Sequence, residues 1–568
     1  YLHMNNRLFS RKDLVRLIIP LIVDQFLQVA VGLSDSIMVA RVGEAAVSGV
    51  SLVDTVMLLI INIFTALATG GAVIAGQYLG RKDPKTGCEA TAQLFNFTFL
   101  FSIFIMILGY LGQNVILYHV FGKIEPEVMK DSRTYLLIVL ASIPMIAMYN
   151  AGAAIFRAMG NSNIAMKTSL LMNSINVFGN ALLIFGFHCG VEGVAIPTVV
   201  SRGVACVVIL VLLNNQEHAL HILHPYPFKI KWDVLKKILY IGIPNGLENS
   251  MFQLGKIAVL SLVSGLGTAS LAANAVSNNI ANFAILPGMS FGFALLTVCA
   301  QCVGAGDFEQ VKYYTKHMMR VEYLCLIASN LLVILSLPFI LSIYNLSDEA
   351  AMYTNDIILY HAACVVTIWP LSFTLPNTLR AAADVKVTMI LSIISMWVFR
   401  FGFSYLLTME FHMGIFGVWV AMTIDWLVRG IFFVAGIRAG GGRRSFSRKI
   451  QVTRTFAIRF AIAHERSRFA ICQWELSTPT DISIPLTHRL VLRALEAGNA
   501  YLRSNTRKTW HEFRSAQADK FLSELLRSTP RFNQHTPLSP PPDNARPREA
   551  LSQSDIGLPQ KQFALLNT

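Results

Sequence analysis

Read in windows of about 20 residues, the length that crosses roughly 30 Å of hydrocarbon, the chain resolves into twelve apolar segments. They centre on residues 14–40, 50–79, 91–118, 134–156, 164–189, 191–213, 238–263, 275–303, 318–344, 357–379, 387–409 and 414–437. Each is long enough for a membrane-spanning helix, and short polar turns such as GRKDPKTG (80–87) and GAGDFEQ (304–310) separate them. The first segment is too long, and carries too many acids, to be a cleaved signal peptide. After Gly440 the pattern changes. GGGRRSFSRK opens a stretch without any apolar span, amphipathic spacing suggests helices near 486–503 and 508–527, and TPLSPPPDNARPRE has the composition of disorder.

The apolar pattern occurs twice. The constant shift that carries Pro20 onto Pro244 also carries Gly43 onto Gly267, Gln77 onto Gln301, Gly80 onto Gly304 and Asp83 onto Asp307. A shift shorter by one aligns Arg157 with Arg380 and Gly179 with Gly402, and at the original shift again GVEGV (190–194) meets GIFGV (414–418). Six spans per copy is an even number, so both copies face the same way across the membrane. The expected fold is an all-α polytopic membrane protein of twelve transmembrane helices, in two six-helix lobes related by an internal parallel repeat. The divisions are an N-terminal lobe (1–213), an inter-lobe cytoplasmic linker (214–237), a C-terminal lobe (238–438) and a basic, partly disordered cytoplasmic tail (439–568).

Composition agrees with this: of 568 residues, 54% are hydrophobic and 14% charged, and the mean hydropathy is +0.53. The net charge of +14 invites a nucleic-acid partner. By region, however, residues 438–568 hold 21 Lys and Arg against 10 Asp and Glu, so the basicity belongs mostly to the tail and no nucleic-acid partner is expected. The tail reads either as an extension touching anionic lipid through its arginines or as an out-of-frame end. Lys and Arg concentrate in the loops on the side of the N-terminus, which places both ends of the transmembrane body in the cytoplasm. The Cys299/Cys302 pair and the histidines of EHALHILHP read as packing and a solvated loop, not as metal ligands.

Polar groups inside spans carry the functional signal, because their desolvation is offset only by a partner or a ligand. In NSINVFGN (173–180) the three asparagines are spaced by three and four, on one helical face. At a rise of 1.5 Å per residue, Asp35, Asn180 and Thr198 lie at similar depth, about 8–13 Å below the outer surface, with Asn176 a turn deeper. One carboxylate, two amide oxygens and a hydroxyl make a hard-oxygen set suited to Na+, and a proton on Asp35 is the alternative. In the second copy the positions of Asp35, Asn176 and Asn180 are Val259, Phe399 and Phe403, so the set occurs once. Asp24 shares the face of Asp35 and, with Glu248 and Gln253, is a candidate for substrate contact or coupling, while Asp425 has Arg429 one turn on and reads as an ion pair. Lys256 and Arg400 read as neutralising acids or snorkelling. Pro20 and Pro244 each remove a helical hydrogen bond and are expected to kink the first and seventh spans. No cluster of nucleophile, base or metal ligands suggests an enzyme.

Over about residues 8–438 the chain resembles the multidrug and toxic compound extrusion (MATE) family, in its prokaryotic form, with a tail unrelated to it. The resemblance rests on GLSDSIMVARVG ending the first span, the QYLGRKD and QCVGAGD turns, FRAMGN and LRAAAD after spans four and ten, and GVEGVAIPT opening span six. It implies a secondary active antiporter in a bacterial or archaeal plasma membrane, exporting cationic or amphiphilic drug-like compounds against inward Na+ or H+ by alternating access. It further implies no cofactor beyond the coupling ion, a monomer surrounded by lipid, and a cation site at Asp35, Asn176, Asn180 and Thr198. Some members have Asp where this chain has Asn180, and many carry an acid one turn beyond Glu248, where this chain has Phe252 and Gln253. A lipid-linked oligosaccharide flippase of the same broad superfamily is the alternative.

Overall fold

The computed structural model describes residues 7–120, 124–224, 229–344 and 346–438. The expected amphipathic tail helices lie outside these residues. The described part is all-helical. Twelve helical units follow in order: α1 (Arg11–Ala40), α2 (Glu44–Gly80), α3 (Pro84–Leu111, followed by the short helical turns Gln113–Val115 and Ile116–Val120), α4 (Pro126–Leu140 and Ile143–Ala158), α5 (Ser162–Ala181, extended by a π-helical turn Leu182–Gly186) and α6 (Glu192–Leu213). The second set is α7 (Trp232–Ser264), α8 (Thr268–Gly304), α9 (Phe308–Tyr344), α10 (Asp348–Val365 and Pro370–Ala381), α11 (Val385–Met409) and α12 (Gly414–Arg438). Among the described residues nine helices are long and apolar enough to cross a membrane, and eleven if each bent pair counts once. The remaining unit is α7, 33 residues long, whose Glu248, Asn249, Gln253 and Lys256 dilute its apolar character. It begins at Trp232, inside the stretch read from sequence as linker.

Local chemistry explains the ends. Ser10 caps α1 by accepting from the Asp13 amide (3.2 Å), and Asp13 accepts from the Ser10 amide (2.9 Å), which closes a capping box. Asp83 caps α3 by accepting from the Thr86 amide at 3.1 Å, which holds its carboxyl below the usual range. The turns repeat with the sequence. Left-handed backbone falls at Lys82 and Gly306, at Gly160 and Ala383, and at His188 and His412, each pair related by the repeat shift of its own stretch of sequence. The large bends repeat as well, 51° within α4 and 59° within α10. Helices α1 and α7 are continuous through Pro20 and Pro244, and the two helix breaks lie in the fourth and tenth units.

The lobes share one apolar core at one end and have separate cores toward the other. A single apolar core runs from Leu17 of α1 through Ile74, Phe156, Ile238, Phe291 and Tyr314, joining both lobes near the N-terminal end of α1. Toward the opposite end each lobe has its own core, one around Val53, Leu136 and Ile143, the other around Val263, Trp369 and Trp419. At the end with the shared core the backbones touch: a Cβ on Gly80 would lie 2.0 Å from the Gln301 carbonyl oxygen, and one on Gly304 would lie 2.0 Å from that of Gln77. Only glycine allows this approach. The same two glutamines bond across the seam. Gln77 Nε2 donates to the Ala381 carbonyl (2.8 Å) and Gln301 Nε2 to the Ala158 carbonyl (2.7 Å). Ala158 and Ala381 end α4 and α10, where carbonyls lack intrahelical partners, so each lobe caps a helix of the other.

Candidate functional site

Helices α1, α5 and α6 pack together in the N-terminal lobe and bring the four sequence-predicted residues into one cluster. Asn180 Nδ2 donates to Asp35 Oδ1 at 2.9 Å, and Asn180 is fully buried. Asn176 and Thr198 are 7% and 8% exposed, so the cluster is shielded from bulk solvent except beside Asp35, which is half-buried. Thr198 also donates to the Val194 carbonyl (2.9 Å), a back-bond that fixes its hydroxyl.

The Asn176 amide has two orientations that differ in meaning. In one, Nδ2 donates to Thr198 Oγ1 (3.1 Å) and the oxygen faces the Asp35 carboxylate, receiving only a long contact from Asn180 (3.4 Å). In the other, Nδ2 donates to both Asp35 oxygens (3.0 and 3.2 Å) and the oxygen accepts from Thr198 Oγ1 (3.1 Å). The second gives the carboxylate two donors, with the single Thr198 hydroxyl proton turned from Val194 to Asn176, and is the orientation expected of an ion-free carboxylate. The first turns an oxygen toward the carboxylate, which suits a cation between them. Asn180 Oδ1 is buried and has no partner, a further oxygen with ligating capacity to spare. The donors are all hard oxygens, so the residues present fit a Na+.

A second layer was legible as charge but carries no sequence-based expectation: Asp54 of α2 and Arg202 of α6. Both lie within electrostatic range of Asp35. Tyr135 of α4 donates to Asp54 Oδ1 (3.1 Å), and Arg202 donates to Ser142 Oγ (2.7 Å). Arg202 thus sets a fixed positive charge near two carboxylates. Asp24 does not join this cluster, being eleven residues, about 16 Å, along α1. It is buried, accepts from Gln28 (3.3 Å), has one oxygen without a partner, and neighbours Tyr149 and Arg157 electrostatically.

The equivalent place in the C-terminal lobe is built differently. Phe399 and Phe403 stack at 5.6 Å where α5 has Asn176 and Asn180, and Val259 is buried where α1 has Asp35. Glu248, alone along its own helix, is paired with Arg380 of α10 at 2.7 Å, and Arg380 also donates to Asn377 (2.9 Å). Asp425 forms the expected ion pair with Arg429 (2.8 Å), both buried, and accepts from Ser395. Gln253 and Lys256 of α7 line a groove against Thr55, Leu58 and Leu59 of α2. Glu322 of α9, fully buried and accepting from Thr374 at 2.6 Å, is a further intramembrane acid that sequence reasoning passed over. Among the described residues no group of His, Cys, Asp and Glu could hold a metal as a cluster of three.

Comparison with known proteins follows the repeat. A family model described as MatE matches residues 20–182 and again 244–406, two segments whose starts and ends are both related by the shift from Pro20 to Pro244. An uncharacterized transporter, YisQ of Bacillus subtilis, is 26% identical over 418 residues, covering 72% of this chain and 90% of its own. A protein named as a probable multidrug resistance protein, NorM of Thermotoga maritima, is 23% identical over 439 residues, covering 75% and 92%. Among solved structures, the outward-facing conformation of a multidrug resistance MATE family transporter superposes with a TM-score of 0.70 at 20% identity, covering 75% of this chain and 95% of that one. A Pyrococcus furiosus transporter of the MOP superfamily, described as having reversed binding-pocket polarity, gives a TM-score of 0.68 at 22% identity, with 75% and 94% covered.

Proposed function

The chain belongs to the MatE family of membrane transporters, and from that premise we propose that it exports drug-like amphiphilic compounds in exchange for a cation held by Asp35, Asn176, Asn180 and Thr198. The observation that carries the reading is the convergence of these four side chains from three helices, with Asn180 Nδ2 2.9 Å from Asp35. Relatives named as multidrug resistance proteins support export of drug-like compounds over the flippase reading. The reversed polarity described for one structural relative means that family membership alone does not set the charge of the substrate.

Na+ is the favoured coupling ion. A proton needs only the carboxylate, whereas two amide oxygens and a hydroxyl add coordination that a metal ion uses. With the basic loops inside, the end with the shared core is cytoplasmic, and Asp35, toward the end with separate cores, is reached from outside. A cation drawing α1, α5 and α6 together stabilises one packing of the N-terminal lobe, and a compound between the lobes stabilises another. Exchange follows from this difference in affinity. The test is uptake of a fluorescent amphiphile by proteoliposomes under a Na+ gradient and, separately, a pH gradient. Wild type is expected to respond to Na+ and Asp35→Asn to neither; undiminished uptake by the variant sinks the assignment.

A further inference from the structure

Two cations in the C-terminal lobe have no acid of their own. Arg400 of α11 is 9% exposed, and its guanidinium lies over the Phe252 ring, 5.2 Å from the centroid. Lys256 of α7 places its ammonium 5.3 Å from the same centroid and opens onto the groove between α7 and α2. Among the described residues neither makes an ion pair or a hydrogen bond to a side chain. Arg429 is also near this ring, at 5.6 Å, but it is bonded to Asp425. Asp425, the acid that Arg400 feels electrostatically, is thus committed to Arg429 and Ser395. Three cations lie over one aromatic ring, and one of them, Arg429, is paired with a carboxylate. Burying the unpaired charge of Arg400 costs several kcal/mol, of which a ring face offsets about 0.5–2 kcal/mol, whereas Lys256 is exposed to the groove and adds charge beside it. The remainder calls for an anion.

The repeat gives this position meaning. The N-terminal cation cluster is built from α1, α5 and α6; Lys256, Arg400 and Arg429 come from α7, α11 and α12, the matching three. At the repeat shifts, Lys256 and Arg400 correspond to Gly32 and Val177, so this charge is as specific to its lobe as Asp35 is to the other. Arg400 also stands within Met396–Gly402, a seven-residue π-helical segment. Such segments are uncommon and recur at functional sites.

We propose that Lys256 and Arg400, over Phe252, form an anion subsite that takes the carboxylate, sulfonate or phosphate group of the transported amphiphile. The inference rests on the export reading above for its access route between the lobes, and it narrows the substrate class to anionic or zwitterionic amphiphiles. The guanidinium supplies a planar pair of donors, the ammonium a point charge, and the phenyl ring an apolar floor for the adjoining body.

The test compares a rhodamine dye bearing a free carboxylate with its methyl ester, by fluorescence polarisation on the purified full chain. The free acid is expected to bind wild type about tenfold more tightly than the ester, the size of one charge-assisted contact. Arg400→Gln and Lys256→Gln each remove that preference and leave ester affinity within about twofold. Equal affinity of wild type for acid and ester overturns the proposal, and so does a preference that survives both substitutions. If a Gln variant loses both dyes, Arg400→Lys and Lys256→Arg decide: retained preference supports the subsite and lost preference overturns it. Ester uptake driven by an ion gradient, without acid preference, removes the subsite and leaves the export reading standing. Failure of uptake for both dyes removes the export reading itself.

Discussion

Removing the crossed glutamine caps at the end with the shared core should open that end, by an amount the structure allows to be worked out. Gln77 and Gln301 each donate one hydrogen bond across the seam, at 2.8 and 2.7 Å, to carbonyls that terminate a helix of the opposite lobe. A hydrogen bond of this kind contributes about 1 kcal/mol net. Gln77→Ala with Gln301→Ala therefore shifts the closed state by about 2 kcal/mol, roughly thirtyfold in the ratio of closed to open. Each single variant should shift it by about fivefold, and the repeat requires the two to act alike. Spin labels at Lys82 and Glu309, both exposed beside the seam, report the separation by double electron–electron resonance in a cysteine-free background. Wild type should give one short distance, and the double variant a second, longer population. A distance distribution unchanged by the double substitution refutes the reasoning, because the apolar core and the glycine contacts would then hold the end closed unaided.

Arg429→Met strands Asp425, which is fully buried, with Ser395 as its remaining partner; a loss of about 3–5 kcal/mol is expected, read as a lowered unfolding midpoint in detergent, with Asp425→Leu in the same chain restoring most of it. Asn180→Phe installs the residue found at the repeat-related position, Phe403, removes the 2.9 Å donor to Asp35 and fills the cluster. Ion-driven uptake should vanish while expression and the unfolding midpoint stay near wild type, and retained uptake would count against the site.

The architecture was open to reading because apolar runs of membrane length and a constant repeat shift are properties of the chain itself. The family model matches twice at that same shift. The cation cluster was legible for a related reason: Asp35, Asn176, Asn180 and Thr198 are polar where the surroundings are hydrocarbon, and depth along a helix can be counted. Contacts between distant segments were not. Glu248 has no basic neighbour on its helix, and its partner Arg380 lies 132 residues away. Gln77 and Gln301 stood out as a matched pair, but only the folded seam reveals that each caps the other lobe. The breaks within α4 and α10 carried no sequence-based expectation either. Asp54, Arg202 and Glu322 were visible as charges inside apolar segments, and a complete census of such charges would have found them.

The central claim is that the α1, α5 and α6 cluster binds the coupling cation. Equilibrium binding of radiolabelled sodium to the purified protein, by scintillation proximity, tests it most directly. Saturable binding by wild type is expected, lost in Asp35→Asn and weakened at least tenfold in Asn176→Ala, which removes a ligating oxygen. Sodium binding by Asp35→Asn equal to wild type would contradict the account.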